Sequence, residues 1–119
     1  MKHPEAQIQM AFIKWVALQH PKFYDFFIRV DFGFSGMLNP IRGKIFKKLG
    51  AKPGVADVLF MWHKKDFGGL WLEFKSSNGK QSPVQKRFEE LCHEAKYDYH
   101  LVKSVDEAII AFNRYIELP

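Results

Sequence analysis

The sequence has a single cysteine, Cys92, in 119 residues. That excludes an internal disulfide framework and any cysteine-built zinc module. Its apolar runs never exceed a few residues, so nothing in it reads as a membrane span. It opens without the basic stretch, apolar core and small-residue cleavage site of a secretory leader. A soluble cytoplasmic domain is the expectation. Pro/Ser-rich linkers, low-complexity tracts and internal repeats are missing too, so residues 1–119 read as one domain. Acidic residues are absent between Asp31 and Asp57.

What is present points to a globular, basic chain. Hydrophobic residues make up 47%, and 12 residues are Phe. Eighteen Lys+Arg stand against 13 Asp+Glu, a net charge of +5. The pI of about 9.4 is the usual electrostatic footprint of a nucleic-acid binder, and it gains weight where the charge clusters. Apolar spacing at Ile8, Ala11, Phe12, Trp15 and Val16 predicts a helix over 4–19. Residues 26–31 read as a strand, 41–49 as a short basic helix, and 57–62 and 70–75 as strands. Ser82, Pro83 and Gln85 have the pattern of a capping box opening a helix to about residue 95. Its stripe is Val84, Phe88, Leu91, Cys92 and Ala95. A strand follows at 98–103. Ser104 and Glu107 suggest a second capping box, opening a helix striped by Val105, Ala108, Ile109, Phe112 and Ile116. The order α-β-β-β-α-β-α predicts an α/β fold with a mixed sheet. The tight 57–75 hairpin makes one pair antiparallel, and the helical crossover makes another parallel. Apolar residues on both strand faces call for helices on both sides.

The strand at 70–75 carries the chemistry. Side chains alternate faces, so Trp71, Glu73 and Lys75 share one face and Leu70, Leu72 and Phe74 the other. On an exposed face Glu73 and Lys75 are an ordinary intrastrand pair. On a doubly covered strand they demand partners, because an unpaired buried charge is expensive. A hairpin centred on Asp66 sets Asp57 opposite Lys75 and diagonal to Glu73. Glu5 precedes Ile8 by three and Phe12 by seven, which puts it on the inward stripe of the first helix; a dipole-favoured surface acid is the other reading. Three inward carboxylates against one lysine leave surplus negative charge, which a hard divalent cation would cancel. Oxygen-only ligands favour Mg²⁺, with Mn²⁺ as substitute, over zinc. Gln85 is explained by capping alone, or by capping plus support of this cluster.

Asp57, then Glu73-Phe74-Lys75 about fifteen residues later, resembles the PD-(D/E)XK nuclease superfamily. Glu5 with Gln9, Gly50 before PGVAD, GGLWLEFK, NGKQSPVQ and SVDEA together resemble its VRR-NUC (virus-type replication-repair nuclease) domain, over about Glu5 to Ile116. One departure is Ala56, where the superfamily signature has proline. The resemblance implies a restriction-endonuclease-like core and the activity of a Mg²⁺-dependent DNA endonuclease. Asp57, Glu73 and the Phe74 carbonyl would be metal ligands, with Glu5 completing the site directly or through water. Lys75 would activate or orient the attacking water, and Gln85 would support the site. Stand-alone members resemble dimeric Holliday-junction resolvases, which implies a homodimer on branched DNA in a bacterial or phage-infected cell. A DNA-binding module without catalysis, or a nicking or restriction-type nuclease on duplex DNA, are the alternatives.

Arg42, Lys44, Lys47, Lys48 and Lys52 fall in the acid-free segment that leads into Asp57. They are candidate DNA-phosphate contacts, against the reading of a solvated basic loop. Lys80 and Lys86 are further candidates. Phe32 and Phe34 fit core packing, base stacking or a dimer contact. His63, His93 and His100 lack metal-ligand spacing and are assigned no role, and Cys92 reads as an inert core thiol.

Overall fold

The computed structural model describes residues 4–30 and 40–119. Phe32 and Phe34 lie outside the described residues. The elements are α1 (Pro4–Gln19), α2 (Pro21–Tyr24), β1 (Phe27–Arg29), α3 (Pro40–Lys48), β2 (Val58–Phe60), β3 (Leu70–Phe74), α4 (Pro83–Glu94), β4 (Asp98–Val102) and α5 (Val105–Glu117). The sheet order is β1-β2-β3-β4. The first two pairings are antiparallel and β3 runs parallel to β4. The mixed sheet with helices on both faces is therefore as expected. The short α2 is additional, and β1 and β2 are shorter than their apolar runs.

The two faces of β3 sort the core. Leu70, Leu72 and Phe74 join Val58, Phe60 and Val102 beneath Phe12 and Val16 of α1 and Ala108, Ala111, Phe112 and Tyr115 of α5. This side is a packed aromatic cluster. Phe12 lies 6.0 Å from Phe74 and 6.2 Å from Phe112 between ring centroids. The other face meets α4, where Cys92 is buried with Ala56 and Tyr99, and Trp71, Phe88 and Leu101 pack alongside. Helical periodicity overreached at its margins. Ala11, Val84, Leu91 and Ala95 are exposed, because each helix touches the sheet along a stripe narrower than its apolar positions.

Helix ends follow the sequence signals closely. Ser82 Oγ accepts from the Gln85 amide at 3.3 Å, and Gln85 Oε1 accepts from the Ser82 amide at 2.9 Å, a complete capping box. At α5, Ser104 Oγ accepts from the Glu107 amide at 3.1 Å, but Glu107 Oε1 accepts from the Lys103 amide at 3.0 Å. That reciprocal arm has slipped one residue back, so the second box is only half formed. Helix α4 closes with the Tyr97 amide on the Cys92 carbonyl and the Lys96 amide on the His93 carbonyl, a Schellman ending. Lys96 occupies the left-handed position at φ 65°, where glycine is usual and another residue costs about 1–2 kcal/mol.

Cys92 is 4% exposed. Burial, with the charge of Glu89, pushes its thiol up to about 12. It stays protonated at neutral pH, so the folded chain should react with a thiol reagent such as DTNB orders of magnitude more slowly than the urea-unfolded chain. A native rate close to the unfolded one would mean that α4 opens readily.

Candidate active site

Asp57 sits at the end of β2, clamped by backbone. Its amide donates to the Leu72 carbonyl at 3.1 Å, and its carbonyl accepts from Val30 at 2.9 Å. The hairpin pairs Val58 with Leu72 and Phe60 with Leu70. The register is therefore centred on residue 65, not on Asp66, and it sets Asp57 against Glu73 and not against Lys75. The slip is by an even number along the partner strand, so every side chain keeps its face. The consequence is chemical: two carboxyls, not a carboxyl and an amine, are nearest neighbours. Asp57 Oδ2 also accepts from the Phe74 amide at 2.8 Å, which fixes the side chain across the strand end.

Glu73 is the one charged residue buried in the core among the described residues, 4% exposed. Gln85 Nε2 donates to its Oε2 at 3.4 Å. Its Oε1 is buried and meets no donor among the described residues, and it is the protonated form of the pair that joins Glu73 to Asp57 by a side-chain hydrogen bond. Desolvation raises the pKa of this carboxyl, the negative Asp57 raises it further, and Lys75 lowers it, leaving it at about 8. Asp57 is raised as well by burial, against the Phe74 hydrogen bond and the cations Lys75 and Arg29. Two like charges held this close do not both ionise readily, so the pair keeps a proton at neutral pH in the absence of a cation, with Glu73 its more basic member.

The two readings of Gln85 merge into one. Its amide oxygen caps α4 while its amide nitrogen holds Glu73. Lys75 is half-buried, its amide bonded to the Val102 carbonyl at 2.9 Å. The turn at 76–79 closes over its stem. A Cβ on Gly79 would lie 3.1 Å from Lys75 Cβ and 3.3 Å from its Cδ, so the glycine leaves room for the lysine.

Glu5 does not join the cluster. It is exposed in the first turn of α1. Phe12, which packs on Phe74, lies seven residues further on, about 10 Å along the helix. Ile8, three residues beyond Glu5, is the first residue of the stripe that packs on the core. Among the described residues no three His, Cys, Asp or Glu side chains gather as a metal site, and the convergence of three carboxylates reduces to two. The cations of the acid-free segment are placed on and after α3. Lys44, Lys47, Lys48 and Lys52 are exposed, as are Lys80 and Lys86. Arg42 is on α3 by its backbone.

Sequence reasoning missed three contributors. Arg29 on β1 adds positive field at Asp57; as a lone cation in an apolar strand it was a readable signal. Gly79 is the second. The third is Gly54, at φ +81°, whose Cβ would run into the Val84 carbonyl and the Gln85 amide nitrogen. The turn bearing Asp57 thus lies backbone-to-backbone against the first turn of α4, which carries Gln85. Gly54→Ala should cost at least about 1–2 kcal/mol from the dihedral alone. Thermal melting should drop by at least about 5 °C; an unchanged melt would show that the turn can leave the helix end freely. Beside the site, a hollow of about 620 Å³ between α1 and β1 is bordered by Gln9, Arg29 and Val58.

The two carboxyls, one with an unpartnered buried oxygen, fit a hard divalent cation: the donors are oxygens, and the cation would replace the proton that repulsion keeps on Glu73. No helix among the described residues is long and apolar enough to cross a membrane. No family model matches the sequence, and no curated protein matches it. Among solved structures the chain is similar to one described as a "VRR_NUC domain protein", with a TM-score of 0.83 and 23% identity, covering 99% of this chain and 92% of that one. Sheet order, flanking helices and that match together give one structural conclusion: this chain has the fold of a VRR-NUC domain.

Proposed function

We propose that the chain is a metal-dependent, structure-selective DNA endonuclease that hydrolyses phosphodiester bonds in branched, Holliday-junction-like DNA as a homodimer. The observation that carries this is the buried Glu73 carboxyl, with an orphaned oxygen, held against Asp57 and beside Lys75. A purely DNA-binding surface gains nothing from paired acids facing phosphates. Asp57, Glu73 and the Phe74 carbonyl would hold Mg²⁺ or Mn²⁺. Such a cation, when bound, supplies Lewis acidity at the phosphate and lowers the pKa of the attacking water. Lys75 orients that water and places positive charge where negative charge develops. Gln85 keeps the Glu73 carboxyl in one orientation. The water oxygen bonds to phosphorus as the bridging P–O bond breaks, leaving a phosphate monoester and a hydroxyl. A homodimer would offer two sites related by a two-fold axis, suited to two opposed strands.

The test is gel cleavage of end-labelled four-way junction, flap, duplex and single strand, with Mg²⁺, Mn²⁺ or EDTA. Paired symmetric incisions in the junction, lost with EDTA, are the expected result. Cutting of every substrate would remove the structural selectivity. Tight binding without cleavage in either metal would make the chain a binding module. For the cations around α3, neutralising Lys44, Lys47 and Lys48 together should lower the slope of log affinity against log salt by about 2.7, at ~0.9 per duplex phosphate contact. An unchanged slope would make them solvated surface charge.

A further inference from the structure

The turn between β2 and β3 lies at the other end of the sheet from the carboxylates. Gly69 is four residues along β3 from Glu73, about 13 Å away at the rise of an extended strand. Here a groove of about 790 Å³ is lined by His63, Lys64, Lys65, His93, Lys96 and Tyr97, with Asp66 as its acid. It runs on into a second hollow of about 460 Å³, which shares His63, Gly68 and Tyr97 and adds Trp62, Met61 and Leu59. One end is cationic and the other aromatic and apolar.

Three details set this groove apart from an ordinary basic turn. Lys65 and Lys96 are exposed and form no ion pair among the described residues, whereas Lys64 is committed through its Nζ to the Ile116 carbonyl at 2.6 Å. Lys96 takes the left-handed helix-ending position, where glycine would be less strained, so a cation stands where the backbone disfavours it. Strained residues of this kind concentrate at functional sites. Finally, the Tyr97 ring lies against a glycine pair: a Cβ on Gly68 would be 2.9 Å from its Cζ, and one on Gly69 3.2 Å from its Cε2. Trp62 carries Lys22 Nζ 5.0 Å from its ring centre. Phe23 and Phe26 also flank the Trp62 ring, each 5.1 Å away between centroids, so the rings form the groove's wall and the exposed cations are what a nucleic-acid backbone meets.

We propose that this hairpin-end groove is a second nucleic-acid contact, in which Lys65 and Lys96 take backbone phosphates and Tyr97 and Trp62 wall the groove. The reading rests on the proposed function for its class of ligand. It adds a place for the substrate to continue past the cutting site. A strand with phosphates every few ångströms reaches both ends of the sheet.

The experiment is fluorescence anisotropy of a fluorescein-labelled oligonucleotide, single-stranded and duplex, titrated with the full chain in EDTA over a range of salt. The double variant Lys65→Ala/Lys96→Ala should lower the log–log slope by about 1.8 on duplex or about 1.4 on single strand. Lys103→Ala/Arg114→Ala removes the same charge from exposed positions elsewhere and should keep the original slope. Equal slopes for the groove variant and the unchanged chain would overturn the proposal, and so would an equal loss from both pairs. Lys96→Gly adds a readout independent of charge count: its melting temperature should rise while its affinity falls several-fold. A rise in melting temperature at unchanged affinity would leave Lys96 with no role and overturn its part. Because binding is read without metal, failure of the unchanged chain to cleave would sink the nuclease reading and leave these slopes standing.

Discussion

On the proposed function, Lys75→Ala should remove cleavage and leave DNA affinity close to that of the unchanged chain. The lysine is half-buried beside two carboxyls, and its stem is covered by the turn at Gly79. Its charge bears on both acids and so on whatever negative charge develops between them and a phosphate. Loss of one such stabilising group costs about 10²–10³ in turnover. Binding of the polymer is carried instead by many phosphate contacts, each adding its own salt-dependent increment. Single-turnover cleavage at saturating DNA separates the two quantities. A variant that cuts at the original rate would remove Lys75 from the chemistry. One that loses affinity in parallel with rate would make it a binding residue. Lys75→Arg keeps the charge but lengthens and flattens the head group, so partial activity there would show that charge counts for more than shape.

Glu73→Gln has a large effect of a different kind, on stability against pH. In the unfolded chain this carboxyl ionises near 4.5, while in the folded chain it holds its proton to about 8. Between those values the folded state binds a proton that the unfolded state has released. Stability therefore falls as pH rises, by about 1.4 kcal/mol per unit, and is lost most fully above the folded value. The raised pKa of Asp57 acts in the same direction. Glutamine keeps the shape and the Gln85 contact but cannot ionise. Metal-free Glu73→Gln should melt at a temperature that changes little from pH 5 to pH 8, while the unchanged chain loses on the order of 10 °C or more. Mg²⁺ or Mn²⁺ at pH 8 should restore the unchanged chain by binding the folded state alone, and should leave the variant where it is. Parallel pH curves for the two chains would mean that Glu73 is not the group under strain. Metal stabilisation of the variant would put the cation elsewhere.

Local spacing and distant contact contribute differently to this fold. The strands, the first capping box and the two-sided burial of β3 were legible because each follows from spacing within a dozen residues, and the mixed pairing because the connections themselves, one tight and one helical, set strand direction. Asp57, Glu73, Lys75 and Gln85 were legible for the same reason: strand alternation and a capping pattern put them on the right elements. The register was not. A hairpin's centre depends on how residues 63–69 turn, and Lys64 and Lys65 are held by the carbonyls of Ile116 and Pro119, at the far end of the chain. Nor could Glu5 be placed from its stripe, since periodicity fixes an angle about the helix axis but not how far the helix extends past the sheet.

The sequence by itself determined which chemical groups this protein has and which face of which element carries each. Only the tertiary structure decided their neighbours. It set Asp57 against Glu73 and so made a proton-sharing carboxyl pair. It turned the capping residue Gln85 into the partner of a buried acid, and it used Gly54 and Gly79 to let backbone and lysine approach. The physical reason is that alternation and helical pitch are properties of a few consecutive bonds. Burial, and the electrostatics that burial amplifies, depends on segments far apart in the chain that meet only when it folds.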